Sequence, residues 1–444
     1  MILERSAVLR LLTVFLFYFT QGVPIGLFYF AIPAWLGASG ASPAEIAGVV
    51  GAASLPWSLK LINGFIMDRY TFLPMGRRRI WIIGAQGVMM AGLLIGAAIS
   101  PDSSDIWLLS ALAFAVNSAT TFQDVAIDGL AIDIMTDDER TKASGIMFGA
   151  QTLGFSSATF FNGKLLDAYG ISAAYAGSAF VIGLVLLYGV LMRERAGERR
   201  LPWSSGKAHP RNLDIQVDAW WPLLRDSFKA LLAPISIYML FVLVSRSLIA
   251  GAGESFHPVL SAETLGWQAS DYTDLTSSAQ LAAGVAGLVV GGWLISKIGN
   301  QRALIGLLAI LVGVLVWFVS DPDSWSEPWR FRALIWTVEF TGLFIAIAMI
   351  PMAMRLCLPA VAATQFTIYM AVGNFGRPIG AAIAAATAGA GNPVTMYWVI
   401  AGIYAAIMVS LLFIKVKGIA PEAGEEAVEQ THPVTAETPN PVED

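Results

Sequence analysis

The stretch GFIMDRYTFLPMGRRR, residues 64–79, places four arginines and one aspartate between two long apolar runs. An apolar run of about 18 residues or more predicts a transmembrane helix, because about 20 residues cross the hydrocarbon core of a bilayer. The whole chain of 444 residues is 56% hydrophobic and 13% charged. In a soluble protein about 25% of the residues are charged. The composition therefore predicts an integral membrane protein, in which residues 64–79 form a turn between two spanning helices.

The apolar runs beside this turn belong to a longer series. Twelve of them follow one another, near residues 9–36, 44–67, 80–99, 106–135, 143–167, 172–192, 231–258, 272–296, 303–320, 333–356, 363–388 and 393–416. The basic, proline-broken segment 193–230 divides them six and six. We predict an all-α membrane protein with 12 transmembrane helices in two six-helix bundles, residues 1–192 and 231–417, joined by a cytoplasmic linker. The tail 418–444 has seven acids and no Lys or Arg, which predicts disorder.

The distribution of Lys and Arg predicts the orientation of the chain. Nearly every loop on the side of the N-terminus is basic, and the loops on the other side hold little beyond Arg330 and Arg332. Loops rich in Lys and Arg stay in the cytoplasm. We therefore expect both termini to be cytoplasmic.

The basic turn recurs in the second half of the chain. Gly64 precedes Asp68 by four residues and Arg69 by five, and Gly292 precedes Ser296 and Lys297 by the same offsets. Such recurrence indicates a parallel repeat, as in two-domain transporters.

At family level, GFIMDRY…GRRR resembles the conserved turn of the major facilitator superfamily, G-x-x-x-D-R-x-G-R-R. PWSLKLINGFIMDRYTFLPMGRRRIW together with FQDVAIDGLAIDIM resembles the AmpG-like muropeptide permease branch, which is related to acetyl-CoA transporters. The resemblance implies two pseudo-repeated bundles and proton-coupled import, by alternating access, of a polar or anionic solute such as an anhydro-muropeptide. A siderophore, acetyl-CoA or a similar conjugate stays open as substrate, and so does a non-transporting assembly factor or sensor.

The same resemblance sets the expected surroundings. We expect a monomer in the bacterial inner membrane, with a small-molecule substrate, protons and the lipid bilayer as partners and no nucleic acid. The chain has no phosphate-binding loop, no H-E-x-x-H motif and a single cysteine, Cys357. We therefore expect no cofactor, no metal and no enzymatic activity.

Three aspartates interrupt the fourth apolar run, in FQDVAIDGLAID at residues 122–133. An aspartate at the centre of a spanning helix costs about 2.5–3.5 kcal/mol on insertion scales, so these acids must face protein or water. Asp124 and Asp128 lie about 40° apart on one helix face, and Asp133 lies about 180° from Asp124. Asp124 falls near the middle of the membrane, where Gln123 can share a hydrogen bond with it. We expect Asp124 to bind the coupled proton.

Helix rise predicts partners for these acids. Lys60 and Asp128 each lie roughly 12 Å from the inner membrane surface, so we predict that they pair. Arg246 lies roughly 18 Å deep, level with Asp124, and we expect the two to face each other across a central cavity. There Arg246 would hold an anionic substrate or neutralise Asp124, because a guanidinium offers two parallel donors.

The resemblance implies a gate at the inner surface. Gly64, Asp68, Arg69 and Arg77 are the matching turn residues, and Asp133 would pair with Arg77 to hold the inner side closed. A plain surface ion pair, contributing about 0–1 kcal/mol, is the alternative.

The sequence also predicts the surroundings of other polar residues. Glu339 and Arg377 are expected to pair within the second half, and Glu254 and His257 to be solvated at the outer end of the seventh run. Pro24 should kink the first helix, since it removes a backbone hydrogen bond. The first-helix aromatics are expected mainly to pack: Phe15, Tyr18, Phe28 and Tyr29.

Overall fold

The computed structural model describes residues 1–135, 137–214, 231–357 and 362–416, together with residues 225 and 229. This part of the chain is helical and contains no β-strand. The predicted disordered tail and much of the C-terminal part of the linker lie outside the described residues.

The helices of the first half, residues 1–192, follow the predicted apolar runs. They are α1 (Ala7–Gly26), α2 (Ile32–Ala38), α3 (Pro43–Leu59), α4 (Leu61–Arg69), α5 (Arg79–Ile99), α6 (Ile106–Ile134), α7 (Asp137–Tyr169) and α8 (Ile171–Leu191). A short α9 (Pro210–Asp214) lies in the linker.

The helices of the second half, residues 231–416, follow the same order. They are α10 (Pro234–Ser245), α11 (Leu248–Leu265), α12 (Ala269–Ala286), α13 (Gly292–Ile298), α14 (Asn300–Val319), α15 (Pro328–Arg355), α16 (Ala362–Asn374), α17 (Gly376–Ala386) and α18 (Pro393–Phe413).

Within the described residues, nine helical segments are long and apolar enough to cross a membrane. They are Ala7–Ala38, Arg79–Ile99, Ile106–Ile134, Ile171–Leu191, Pro234–Leu265, Ala269–Ile298, Asn300–Val319, Pro328–Arg355 and Pro393–Phe413. The other three predicted runs coincide with α3–α4, with α7 and with α16–α17.

Local sequence explains where several helices begin. Ser42 accepts a hydrogen bond from the Glu45 backbone and the Glu45 carboxylate accepts one from the Ser42 backbone, which caps α3. Proline occupies the first turn of α3, α10, α15 and α18, where its missing N–H costs nothing. Gly266 ends α11 with a φ of 66°, a conformation that glycine adopts without strain.

Several membrane helices are interrupted near their middle. Lys60 separates α3 from α4, Arg246 and Ser247 separate α10 from α11, and Phe375 separates α16 from α17. The first helix runs through Pro24 and then takes a π-helical turn at Leu27–Ala31, so the predicted irregularity follows the proline. Each interruption frees backbone carbonyls, which are tolerated in a membrane where protein or water can satisfy them.

The interior is divided largely by half. The largest apolar core takes its buried members from the second half, with Ala34 as its contribution from the first. Two further cores are built from the first half, with Val259 and Ala381 added from the second.

The two halves meet closely at one end of the helices. We call this end the far face; it carries the loops 39–42, 100–105, 266–268, 320–327 and 387–392. The opposite end, with the N-terminus and residues 193–214, is the linker face. At the far face a Cβ on Gly37 would lie 2.6 Å from the Pro258 backbone, and one on Gly389 would lie 2.9 Å from Ala44. The Lys164 ammonium lies 2.6 Å from the Asp274 carboxylate across the same contact. The far face is therefore closed in this structure.

Candidate functional site

A buried ion pair joins the second and fourth predicted spans. Lys60 ends α3, and its Nζ lies 2.9 Å from Oδ2 of Asp124 on α6, with side chains 19% and 6% exposed. The predicted pair of Lys60 with Asp128 is therefore wrong by one helical turn. The helix is interrupted at Lys60, so counting residues along an ideal helix misplaces the ammonium.

Asp128 has a different partner, on the first helix. The Tyr18 hydroxyl donates a hydrogen bond to its Oδ1. Gln123 also turns away from the ion pair, since its amide donates to the Phe17 carbonyl at 2.7 Å and its oxygen accepts from Gln86 at 2.6 Å. The expected hydrogen bond between Gln123 and Asp124 is wrong, because Gln123 instead ties α6 to α1 and α5.

Arg246 lies at the interruption between α10 and α11, where it is half-buried. Its guanidinium forms neither an ion pair nor a hydrogen bond with any residue in the described part of the chain. The expected pairing with Asp124 is not formed, because Lys60 occupies that carboxylate. The charged groups that act on Arg246 are two cations, Lys60 and Arg377. A guanidinium that has no anionic partner and is repelled by two other cations attracts a negatively charged group.

A second charged cluster lies in the second half. Arg377, in the first turn of α17, places Nη2 3.4 Å from Oε1 of Glu254 and its guanidinium carbon 4.3 Å from the centre of the Tyr29 ring. Gln280 donates to Glu339 at 3.4 Å. The expected Glu339–Arg377 pair is thus replaced by Glu254–Arg377, although Glu339 remains an electrostatic neighbour of Arg377.

Glu254 and His257 are not at a solvated surface, so that expectation is wrong. Their residues are 4% and 3% exposed. The His257 ring stacks on Tyr397 at 6.2 Å and meets the edge of Phe331 at 5.8 Å. The cause is the length of α11, which continues to Leu265. Glu254 therefore lies roughly 16 Å inside the helix end.

The ion pair that we expected Asp133 to form at the inner gate lies at the linker face but has a different arginine as partner. We call this pair the latch. Oδ2 of Asp133 lies 3.4 Å from Nε of Arg78, not of Arg77. Gly64 faces Val125, whose methyl would lie 3.8 Å from an added Cβ. The side chains of Asp68 and Arg69 lie outside the described part of the structure.

The loop after α4 is held by a residue that the motifs did not indicate. Glu194 is fully buried, and its carboxylate accepts hydrogen bonds from the backbone N–H groups of residues 77, 78 and 79 at 3.0, 2.8 and 2.6 Å. Burial raises the pKa of Glu194 to about 7, and the three N–H donors oppose that rise. Gly76 approaches the carboxylate closely with a φ of 102°. Glu194 therefore fastens the start of the linker to the first half.

Arg79 reinforces this attachment. Its guanidinium donates to four backbone carbonyls, those of Gly189, Val190, Arg199 and Arg200, at 2.6–3.1 Å. Within the described residues, no group of three or more His, Cys, Asp or Glu side chains could hold a metal ion.

The family model of the Major Facilitator Superfamily matches residues 11–380. The chain belongs to the Major Facilitator Superfamily. Membership of this superfamily and the nine apolar helical segments found among the described residues show that the facilitator is an integral membrane protein of a transporter family.

Two curated relatives and one solved structure extend the comparison. The facilitator is 24% identical to the anhydromuropeptide permease of Escherichia coli (strain K12), over 84% of this chain and 72% of the relative. It is 23% identical to the folate-biopterin transporter of Synechocystis sp. (strain ATCC 27184 / PCC 6803 / Kazusa), over 82% of this chain and 72% of the relative. The crystal structure of the peptide transporter POT in complex with sulfate has a TM-score of 0.67 at 15% identity, over 91% of this chain and 94% of that one. The AmpG-like resemblance is confirmed.

Proposed function

We propose that this facilitator is a secondary transporter that imports a polar, anionic solute together with protons, by alternating access of a central site between two six-helix bundles. Twelve spanning helices, cytoplasmic termini, a bacterial inner membrane and a monomeric state complete the proposal. The observation that carries it is Arg246, a guanidinium deep in the helical bundle that has no anionic partner among the described residues.

The position of Arg246 supports its role as substrate anchor. It is within electrostatic reach of two other cations, Lys60 and Arg377, which are paired with Asp124 and Glu254. A carboxylate or phosphate bound to Arg246 would supply its missing anionic partner and could form two parallel hydrogen bonds. The names of the two relatives support a substrate with such groups in part, because muropeptides and folates carry carboxylates whereas biopterin has none.

The Lys60–Asp124 pair supplies a route to proton coupling. Protonating Asp124 neutralises the anion that holds Lys60, and the free ammonium can then contact a substrate anion beside Arg246. Losing the proton restores the pair and expels the competing anion. Proton and anion therefore bind together and leave together, as symport requires. Asp128, which accepts a hydrogen bond from Tyr18, lies one helical turn away from Asp124.

We include the latch in the same proposal, with Arg78 in place of Arg77 as the partner of Asp133. Asp133 and Arg78 link α6 to the start of α5, beside the turn formed by Gly64, Asp68, Arg69 and Arg77. We assign this cluster to the inner gate.

Uptake into proteoliposomes under an imposed proton gradient tests the proposal. With an anhydro-muropeptide as probe, the wild type should accumulate it, and Asp124→Asn should lose accumulation while keeping counterflow exchange. Asp323→Asn, on an exposed turn of the far face, is the matched control and should behave as wild type. A panel that also contains folate, siderophore and acetyl-CoA probes and gives no gradient-driven accumulation would favour the non-transporting sensor. Unchanged accumulation by Asp124→Asn would remove Asp124 from coupling.

A further inference from the structure

Glu254 is a buried carboxylate whose contacts in the structure compensate a negative charge poorly. It lies in α11 with 4% of its surface exposed, and within the described part of the chain its one ion-pair contact, to Arg377, is long at 3.4 Å. Its second oxygen, Oε2, is buried and has no hydrogen-bond partner among the described residues. A buried carboxylate with an unsatisfied oxygen is costly as an anion and much less so as a neutral acid.

The charges around Glu254 do not balance without a proton. Arg377 is shared by two carboxylates, Glu254 at 3.4 Å and Glu339 as a more distant neighbour. Glu339 has the Gln280 amide as a donor, which is neutral. One further cation is near the cluster, Arg246, but it acts on Arg377 and on neither Glu254 nor Glu339. The other titratable groups that face the cluster from the packed helices are Tyr29, His257, Tyr272 and Tyr397. One bound proton makes the cluster of one guanidinium and two carboxylates neutral.

The cluster is also built into the contact between the halves. The Arg377 guanidinium lies on the ring of Tyr29, which belongs to the first half and donates to the Ala53 carbonyl at 3.1 Å. On its own side, the Arg377 backbone packs directly against Gly251 of α11, so Arg377 and Glu254 move together. Opening the far face would separate Tyr29 from Arg377 and let water reach Glu254.

We propose that Glu254 and Glu339 share one proton, distinct from the one assigned to Asp124, and that this proton holds the far face closed through Arg377 and Tyr29. With the proton bound, the cluster is neutral and tolerates burial. When the proton leaves, the buried excess charge favours the far-open state, where water solvates Glu254. The inference rests on the proposed alternating access, and its test needs no substrate.

The experiment measures closure of the far face against pH. Spin labels on Ser104→Cys of the first half and Thr264→Cys of the second, in a Cys357→Ser background, report the far-face distance by double electron–electron resonance in liposomes. In a titration from about pH 5 to about pH 9, the loss of one linked proton should lower the closed-to-open ratio by up to about tenfold per pH unit as pH rises. Glu254→Gln, which mimics the protonated acid, should stay closed throughout this range. Glu263→Gln, on the same helix but exposed, is the matched control and should titrate as wild type.

A second variant keeps the test informative if Glu254→Gln folds poorly. Glu339→Gln removes the repelling carboxylate, so Glu254 should pair with Arg377 as an anion and the transition should move to lower pH. The inference would be overturned if the far-face distance of the wild type did not change with pH. It would also be overturned if the Glu254→Gln or the Glu339→Gln variant titrated as wild type. If closure titrates as described but no probe is accumulated, the transport proposal fails and this one stands.

Discussion

Replacing Lys60 by methionine should destabilise the first half strongly. Methionine fills similar space but removes the ammonium, and the Asp124 carboxylate then loses the partner that lies 2.9 Å away. That carboxylate is only 6% exposed, so water replaces little of the lost interaction. Removing one member of a buried pair costs about 3–5 kcal/mol because the other charge remains uncompensated. The 19% exposure of Lys60 places the expected loss near the lower end, at about 3 kcal/mol.

The double variant separates the ion pair from other effects. Asp124→Asn alone should cost less than Lys60→Met, because the flexible lysine can turn its ammonium toward water. In Lys60→Met/Asp124→Asn neither charge remains, so its stability should exceed that of Lys60→Met. The cycle should give a coupling energy of about 2 kcal/mol or more, as contacting residues in one network do.

Unfolding in SDS, followed by circular dichroism, measures these differences. Lys164→Met is the matched control, since Lys164 and Asp274 lie closer together, at 2.6 Å, but are 47% and 40% exposed. An exposed pair contributes about 0–1 kcal/mol, so this control should change little. If Lys60→Met were no more destabilising than Lys164→Met, or the double variant were as unstable as the sum of its parts, burial of the Lys60–Asp124 pair would not govern its energetics.

Two further predictions concern the attachment of the linker. Gly76→Ala should lower the free energy of unfolding by about 1–3 kcal/mol in the same assay, because its Cβ would lie 2.5 Å from the Glu194 carboxylate at a φ of 102°. Gly197→Ala is the control, since Gly197 has a φ of 85° but open space around it, and it should lose less. Equal losses in the two variants would contradict the role of the close approach. Because burial raises the pKa of Glu194 from about 4.5 to about 7, its stabilising contribution is complete below pH 4.5 and is lost as pH rises through 7. The stability of wild type relative to Glu194→Gln should therefore fall across that interval, and a constant difference would exclude this titration.

The fold could be predicted from the sequence because it depends on the lengths of the apolar runs, which single residues change little. Apolar runs of sufficient length must become helices in a bilayer, since each backbone group needs an internal partner. The helices therefore coincide with the predicted runs, including those around 44–67 and 363–388, where α3–α4 and α16–α17 are interrupted. The turn at residues 64–79 indicated the superfamily because its sequence resembles the conserved turn G-x-x-x-D-R-x-G-R-R.

The partners of the buried charges were harder to predict, and the reason is geometric. Depths counted at 1.5 Å per residue assume an unbroken helix, but the helix is interrupted at Lys60 and again at Arg246. Lys60 consequently reaches Asp124 instead of Asp128, and Arg246 reaches neither acid.

A misplaced helix end caused the error at Glu254. The seventh apolar run was predicted to end near residue 258, which put Glu254 at an interface, yet α11 continues to Leu265. Glu194 lies among the arginines of a linker that no motif distinguishes, and its function depends on three backbone N–H groups that sequence patterns do not show.

Binding of an anhydro-muropeptide by isothermal titration calorimetry tests the central claim that Arg246 holds the substrate anion. Loss of a charge-assisted contact worth about 1.5–3 kcal/mol predicts that Arg246→Gln weakens binding by about 10–150-fold. Arg246→Lys keeps the charge but not the two parallel donors, so its affinity should lie between those of the wild type and of Arg246→Gln. Arg211→Gln, on the exposed linker, should bind as wild type. Wild-type affinity in Arg246→Gln would contradict the account.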